Sequence, residues 1–174
     1  MTNEISPEVR HCARVLIADE RDNVLLLHSS GYVTPESEYY VTVGGGVEEG
    51  ESLAEAAARE AFEETGLRVA PADLGPVVAR TEGVWHAGHQ DHSYFFLRTE
   101  RFDVSFANLE PIEAADLNGL AWLSIDQLQA ADEAVFPVPI ASLVKRLLSG
   151  ETPPEPVELE WANWRGDNKR CPLP

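Results

Sequence analysis

The feature that most constrains this chain is a strand-like run that empties into three glycines, followed by a helix with both ends marked. Tyr39 to Val43 (YYVTV) is β-branched and aromatic and leads straight into Gly44-Gly45-Gly46, which predicts a strand ending in a glycine loop. Ser52 with Glu55 three residues later is a capping box, in which hydroxyl and carboxylate each satisfy a backbone N–H at the helix start. Gly66, just past Thr65, supplies the stop. The residues between are rich in Ala and Glu, strong helix formers. A strand, a glycine loop and a helix over 52–65 follow, and such a unit has to pack on a sheet.

Wound at about 100° per residue, that helix sets Glu60, Glu63 and Glu64 within one arc roughly 100° wide, with Glu60 at its centre. Ala54, Ala57, Ala58, Ala61 and Phe62 fill the neighbouring arc, so the helix can lie close to a sheet while the carboxylates face a cleft. Three like charges at i, i+3 and i+4 repel one another, and a bound divalent cation removes that penalty. Hard oxygen donors without Cys or His favour Mg²⁺ or Mn²⁺ over zinc. Taken alone, the acidic arc reads as a solvated face, with Glu55 and Arg59 as a surface ion pair.

The flanking residues overturn that bland reading. From Gly45 the order is five residues, Glu51, seven residues, then Arg59-Glu60-Ala61-Phe62-Glu63-Glu64-Thr65-Gly66-Leu67. This resembles the Nudix box, G-x5-E-x7-R-E-U-x-E-E-x-G-U with U a bulky aliphatic. Gly45, Glu51, Arg59, Glu60, Glu63, Glu64 and Gly66 all match, Leu67 fits the last aliphatic position, and Ala61 departs from the first by being small. The resemblance implies an α/β/α sandwich (α+β) with a mixed central sheet and a loop–helix–loop motif. It further implies a hydrolase that cleaves a pyrophosphate bond in a nucleoside diphosphate linked to another group, or in a nucleoside triphosphate, with Mg²⁺ or Mn²⁺. By position, Glu60, Glu63 and Glu64 become metal ligands, Gly44 offers a backbone carbonyl, and Arg59 and Glu51 orient the ligands. A carboxylate has to accept the proton of the attacking water, and Glu60, Glu64, Glu110 and Glu113 are the candidates. A non-catalytic nucleotide-binding or sensor protein on the same fold is the alternative, disfavoured because the box carboxylates are intact. Runs that mark the NADH, coenzyme A and ADP-ribose groups of the family are absent, which leaves a MutT-like triphosphate hydrolase or a generalist.

The remaining pattern fits one domain over residues 1–150. A hairpin joins 13–18 to 24–28 through Asp19 to Asn23, and further strands are expected at 77–81, 93–98 and 119–123. Ser124 and Gln127 open a short helix, and 140–148 forms a last one, ended by Gly150. Five of the twelve prolines lie beyond residue 151, so 151–174 reads as an extended tail that Trp161 and Trp164 pack on the domain or on a partner.

Thirteen Lys and Arg against thirty Asp and Glu give −17. Such a surface disfavours long nucleic acids and anionic membranes. A third of the excess, a net −6, sits in residues 48–64, where a metal would turn repulsion of a small phosphorylated substrate into binding. Cations are scarce, so Arg14, Arg80 and Arg98 are the expected partners of substrate phosphates, with Trp85 or Tyr94 available to stack on a base. His86, His89 and His92 are expected to be solvated loop histidines rather than a zinc site. Cys12 and Cys171 read as free thiols, and the N-terminal segment lacks the apolar core of a secretory signal. A cytoplasmic protein is expected, and a homodimer is plausible by family analogy.

Overall fold

A computed structural model of the chain describes residues 9–30, 38–85, 88–109, 111–115, 117–130, 134–136 and 140–161. The hairpin forms as its sequence predicts. β1 (Arg10–Ala18) turns into β2 (Val24–Ser30), antiparallel, with Ala18 opposite Val24. The turn is held by Asp19, which is fully buried. Its Oδ1 accepts from the backbone N–H of Arg21 at 2.9 Å and of Asn23 at 2.8 Å, and its Oδ2 accepts from Arg101 Nε at 2.8 Å. Burial works to raise the Asp19 carboxyl pKa, but the hydrogen bonds from Asn23, Arg101 and Arg21 outweigh it and hold it below the usual carboxylate value.

The predicted single strand over 39–43 is two strands. β3 (Glu38–Val41) pairs with β2, and β4 (Val43–Gly46) pairs with β1. Thr42 is the joint, where the chain leaves one partner for the other. Its N–H donates to the Phe136 carbonyl at 3.3 Å and its own carbonyl accepts from Arg14 Nη1 at 2.8 Å. The glycines expected as a loop are therefore strand residues, an extended conformation that composition alone does not suggest.

α1 (Leu53–Thr65) has the predicted ends. Ser52 accepts from the Glu55 N–H and Glu55 from the Ser52 N–H, while Gly66 closes the helix at φ 77°. A 3₁₀ turn (Pro71–Leu74) leads to β5 (Ala79–Trp85) and β6 (Gly88–Arg98). After the one-turn α2 (Pro111–Ala114) come β7 (Leu117–Leu123), the capped α3 (Ile125–Ala130), β8 (Ala134–Phe136) and α4 (Ile140–Leu148). The stretch read as an extended tail contributes β9 (Val157–Glu158), which runs parallel to β5.

The strand order is β8-β3-β2-β1-β6-β5-β9, with β4 pairing β1 and β7 pairing β2. β1–β6, β3–β8 and β5–β9 are parallel and the other pairings antiparallel, so the sheet is mixed. Its two faces bury separate cores. Ala13, Val15, Ile17, Leu25, Leu27, Val43 and Phe95 pack against α1, whereas Leu16, Val24, Leu26, Val78 and Tyr94 pack against α3 and α4. This is the helix–sheet–helix layering of the expected α+β sandwich. Among the described residues no helix is long and apolar enough to cross a membrane.

Candidate active site

The buried side of α1 is Ala56, Ala57, Glu60, Ala61, Glu64 and Thr65. Four of these side chains have at most three heavy atoms, so the helix approaches β4 and β1 closely and carries two carboxylates into the contact. Glu60 is 5% exposed and Glu64 9%. Gly45 of β4 makes room for Glu60. A Cβ built on Gly45 would stand 2.5 Å from Glu60 Oε1. On the other side of the same strand, a Cβ on Gly46 would stand 2.7 Å from Arg10 Nη2, and one on Gly44 would stand 2.7 Å from Arg14 Cγ. Gly44 also has φ 136°, a conformation closed to most side chains. β4 is thus a wall one backbone thick, with a carboxylate against one side and two arginine side chains against the other.

Arg59 ties the carboxylates together. Its Nε and Nη2 donate to the two oxygens of Glu51 at 2.9 and 3.1 Å. Its Nη1 reaches Glu60 Oε1 at 2.8 Å and Glu63 Oε2 at 3.0 Å, and its Nη2 also reaches the Gly46 carbonyl at 2.8 Å. The hydrogen bonds to Glu51 are the main reason that the guanidinium is held above its usual pKa and the Glu51 carboxyl below its own. The Gly44 N–H donates to Glu64 Oε2 at 2.7 Å, so each of Glu60, Glu63 and Glu64 has one oxygen fixed by a donor from Arg59 or β4.

Among the described residues, no three His, Cys, Asp or Glu side chains converge as a ready metal cage. Arg59 Nη1 bonds Glu60 and Glu63 at once and so occupies the space where those carboxylates would meet. The donor set is nevertheless wholly carboxylate oxygen, two of the three groups are buried, and one backbone strand borders them, which fits a hard divalent cation and not zinc.

The other residues singled out from sequence fall in different places. Arg14 is brought to the site, with Nε on His92 Nδ1 at 3.0 Å and Nη1 on the Thr42 carbonyl. Arg98 pairs with Ala18 in register and forms an ion pair with Asp22 at the β1–β2 turn, the opposite end of β1 from Arg10. Arg80 is exposed on β5, on the opposite face of the strand from Thr81. Tyr94 is buried in the α4-side core, where burial raises its phenol pKa. The side chains of Trp85, Glu113 and Glu110, together with His86 and Cys171, lie outside the described residues. Cys12 is a buried free thiol, raised in pKa by burial.

The histidine reading needs correction. His89 and His92 belong to β6, not to a loop, and three residues apart on a strand they face opposite sides. His89 pairs with Glu82 at 2.7 Å, whereas His92 is buried between Arg14 and Gln90. Burial first, then the charges of Arg14 and Arg10, push the His92 pKa down to about 2. Sequence reasoning missed Arg10. Its available signal is the i, i+4 spacing from Arg14 on a strand, which puts both on one face.

The NUDIX domain model matches residues 9–144, and the chain belongs to the Nudix family, whose members hydrolyse pyrophosphate bonds. Solved structures agree in fold. The MutT protein from Methanosarcina mazei Go1 matches with a TM-score of 0.64 at 19% identity, over 86% of this chain and 99% of that one. A NUDIX hydrolase from Nitrosomonas europaea matches at 0.59 and 21%, over 83% and 92%. An Ap4A hydrolase from C. elegans matches at 0.58 and 18%, over 82% and 97%. No curated protein sequence matches at a significant level.

Proposed function

We propose that this protein is a metal-dependent hydrolase that cleaves a pyrophosphate bond in a small nucleotide-like substrate, a nucleoside triphosphate or a nucleoside diphosphate linked to another group, by attack of water on phosphorus. The observation that carries the reading is the α1–β4 contact, where Glu60 and Glu64 are buried, Gly45 leaving room for the Glu60 carboxylate and the Gly44 N–H donating to Glu64 Oε2 at 2.7 Å. A solvated acidic face has no reason to bury carboxylates, and burial is costly unless donors or a cation compensate it, as the Arg59 guanidinium does in part for Glu60.

Glu60, Glu63 and Glu64, with the Gly44 carbonyl, would hold Mg²⁺ or Mn²⁺. Such an ion supplies charge stabilisation at the phosphate oxygens and a more acidic water. Arg59 and Glu51 keep Glu60 and Glu63 aimed, through the hydrogen bonds given above. Arg14 faces the substrate phosphates. The proton of the water passes to a carboxylate, and Glu60, Glu64, Glu110 and Glu113 are separated by the pH dependence of turnover in their Gln variants.

Incubation with a panel of nucleotides and Mg²⁺, with phosphate and pyrophosphate release as the readout, tests the proposal. Turnover of at least one member that is abolished by chelation is the expected result. Binding of a nucleotide with no turnover of any would replace the hydrolase with a sensor.

A further inference from the structure

The face of the sheet turned away from α1 changes character along its length. At one end Leu16, Ala79 and Tyr94 lie in the core that α4 covers. At the other end the cross-strand row runs Cys12, His92, Thr81, with Arg10 and Gln90 beyond it. The side chain found over that polar end is Trp161. Its ring lies against Gly83 so closely that a Cβ there would be 2.1 Å from the indole, its N–H donates to the Val84 carbonyl at 3.1 Å, and it meets His92 edge-on at 5.3 Å.

We propose that Arg10 and Arg14 form an anion subsite for the phosphate groups of the substrate, on the side of β4 opposite Glu60. Trp161 is its positioning residue, acting through His92 on Arg14. The inference rests on the hydrolase reading for the identity of the anion.

Three observations carry it. In a chain of net charge −17, the described Arg21, Arg59, Arg98, Arg101 and Arg146 each pair with a carboxylate, whereas Arg10 and Arg14, like Arg68 and Arg80, do not. Among the described residues the Arg10 guanidinium has no hydrogen-bond or ion-pair partner, and Arg14 bonds only a neutral imidazole and a carbonyl. Both guanidiniums bear on the same two groups, Cys12 and His92, and on Cys12 their charges act more strongly than those of Asp91 and Glu60. Two guanidiniums without a carboxylate partner beside a bare strand are suited to a phosphate, which accepts their remaining N–H groups and is repelled by the rest of the surface.

The aim of Arg14 is set from behind. His92 Nδ1 can accept from Arg14 Nε only when the ring is neutral. That state is secured, because burial and the two arginines push protonation down to about pH 2. With Nδ1 accepting, Nε2 carries the hydrogen and donates to Gln90 Oε1 at 3.0 Å. Trp161 meets the ring edge-on at 5.3 Å, and Tyr94 lies tilted to it at 6.3 Å. Trp161 is held there by β9, pinned to β5 through Val157 N–H on the Val78 carbonyl at 2.9 Å and Leu159 N–H on the Arg80 carbonyl at 2.7 Å. The indole lies beyond residue 144, where the family match ends.

The test titrates the full-length protein with inorganic pyrophosphate in EDTA by calorimetry, and separately measures kcat and KM with whichever nucleotide the panel shows to be turned over. Arg10→Gln and Arg14→Gln should each weaken pyrophosphate binding about tenfold, the loss of one charge-assisted pair. Trp161→Leu should weaken it roughly threefold to tenfold and raise KM by the same factor while kcat stays within twofold, and Trp161→Phe should recover most of the loss by keeping an aromatic brace. Pyrophosphate affinity within twofold of wild type in both arginine variants overturns the subsite, whatever the turnover. A Trp161→Leu protein that loses kcat with KM unchanged, or is not rescued by Phe, overturns the positioning role. Absence of turnover in wild type with the arginine effects intact removes the hydrolase reading and leaves the anion subsite standing.

Discussion

The two helices that sandwich the sheet bury opposite kinds of surface. α4 is an ordinary amphipathic helix that covers its face of the sheet with Ile140, Leu143, Val144 and Leu147. α1 covers the other face with alanines and two glutamates. The first helix holds the fold together by apolar area. The second gives up most of that area so that carboxylates can stand against the glycines of β4. On the proposed reading the metal-holding carboxylates lie on the α1 side of the sheet and most of the apolar contact of α4 on the other, so substitutions in α1 and α4 should fail in different ways.

Glu63→Gln breaks the comparison most sharply if it is wrong. The variant keeps the size of a side chain that is one-third exposed, so its melting temperature should stay near wild type. Turnover should fall by roughly 10³-fold, about 4 kcal/mol of transition-state stabilisation. Wild-type-like turnover would remove Glu63 from the site. Leu143→Ala is the mirror experiment. It should cost about 3 kcal/mol in denaturant unfolding through the cavity it leaves, with kcat of the folded fraction unchanged. A large loss of kcat in folded Leu143→Ala protein would show that the two sides are coupled.

Gly45→Ala tests the wall between them. The backbone there is not strained, but the new methyl meets Glu60 Oε1. A carboxylate can swing aside, so kcat should drop roughly tenfold to thirtyfold while stability falls by no more than about 1 kcal/mol. Thermal melts alongside kinetics check both halves of that expectation.

The smallest effect is in acid. Glu51 and Asp19 both have folded-state pKa values below their ordinary ones. Their contribution to stability is therefore complete above the usual carboxylate range and is lost as pH falls through the depressed folded values. Urea midpoints followed from pH 7 downward should decline, and the gap between wild type and Glu51→Gln should narrow as they do. A gap that widens on acidification would contradict the Arg59–Glu51 assignment.

What the sequence disclosed and what it hid divide along a physical line. The capping box of Ser52 and Glu55, the Gly66 stop and the arc of Glu60, Glu63 and Glu64 are local, fixed by spacing within one helix, and all were legible. The break at Thr42 was not, because it is a change of strand partner, and pairing is decided by residues far away in the chain. The burial of His92 was hidden for the same reason. Its neighbours Arg14 and Trp161 are 78 and 69 positions distant, and a polar residue announces exposure until its partners are known. Arg10 was hidden because it precedes the apolar run that marks the strand at 13–18, whereas β1 begins at Arg10. β9 is two residues long, too short for any periodicity to mark.

The bare backbone of β4 also bears on how such a protein can change over generations. At Gly44, Gly45 and Gly46 any replacement places its first carbon 2.3 to 2.7 Å from a group on one side or the other, inside van der Waals contact. Those positions, and the helix behind them, offer little room for new preferences to arise. The hairpin of β5 and β6 and the segment bearing Trp161 carry no such restriction at most positions, and β6 pairs with β1, the strand that carries both arginines. Divergence toward a different substrate would then be recorded in these outer pieces, while the glycines and glutamates stayed as they are.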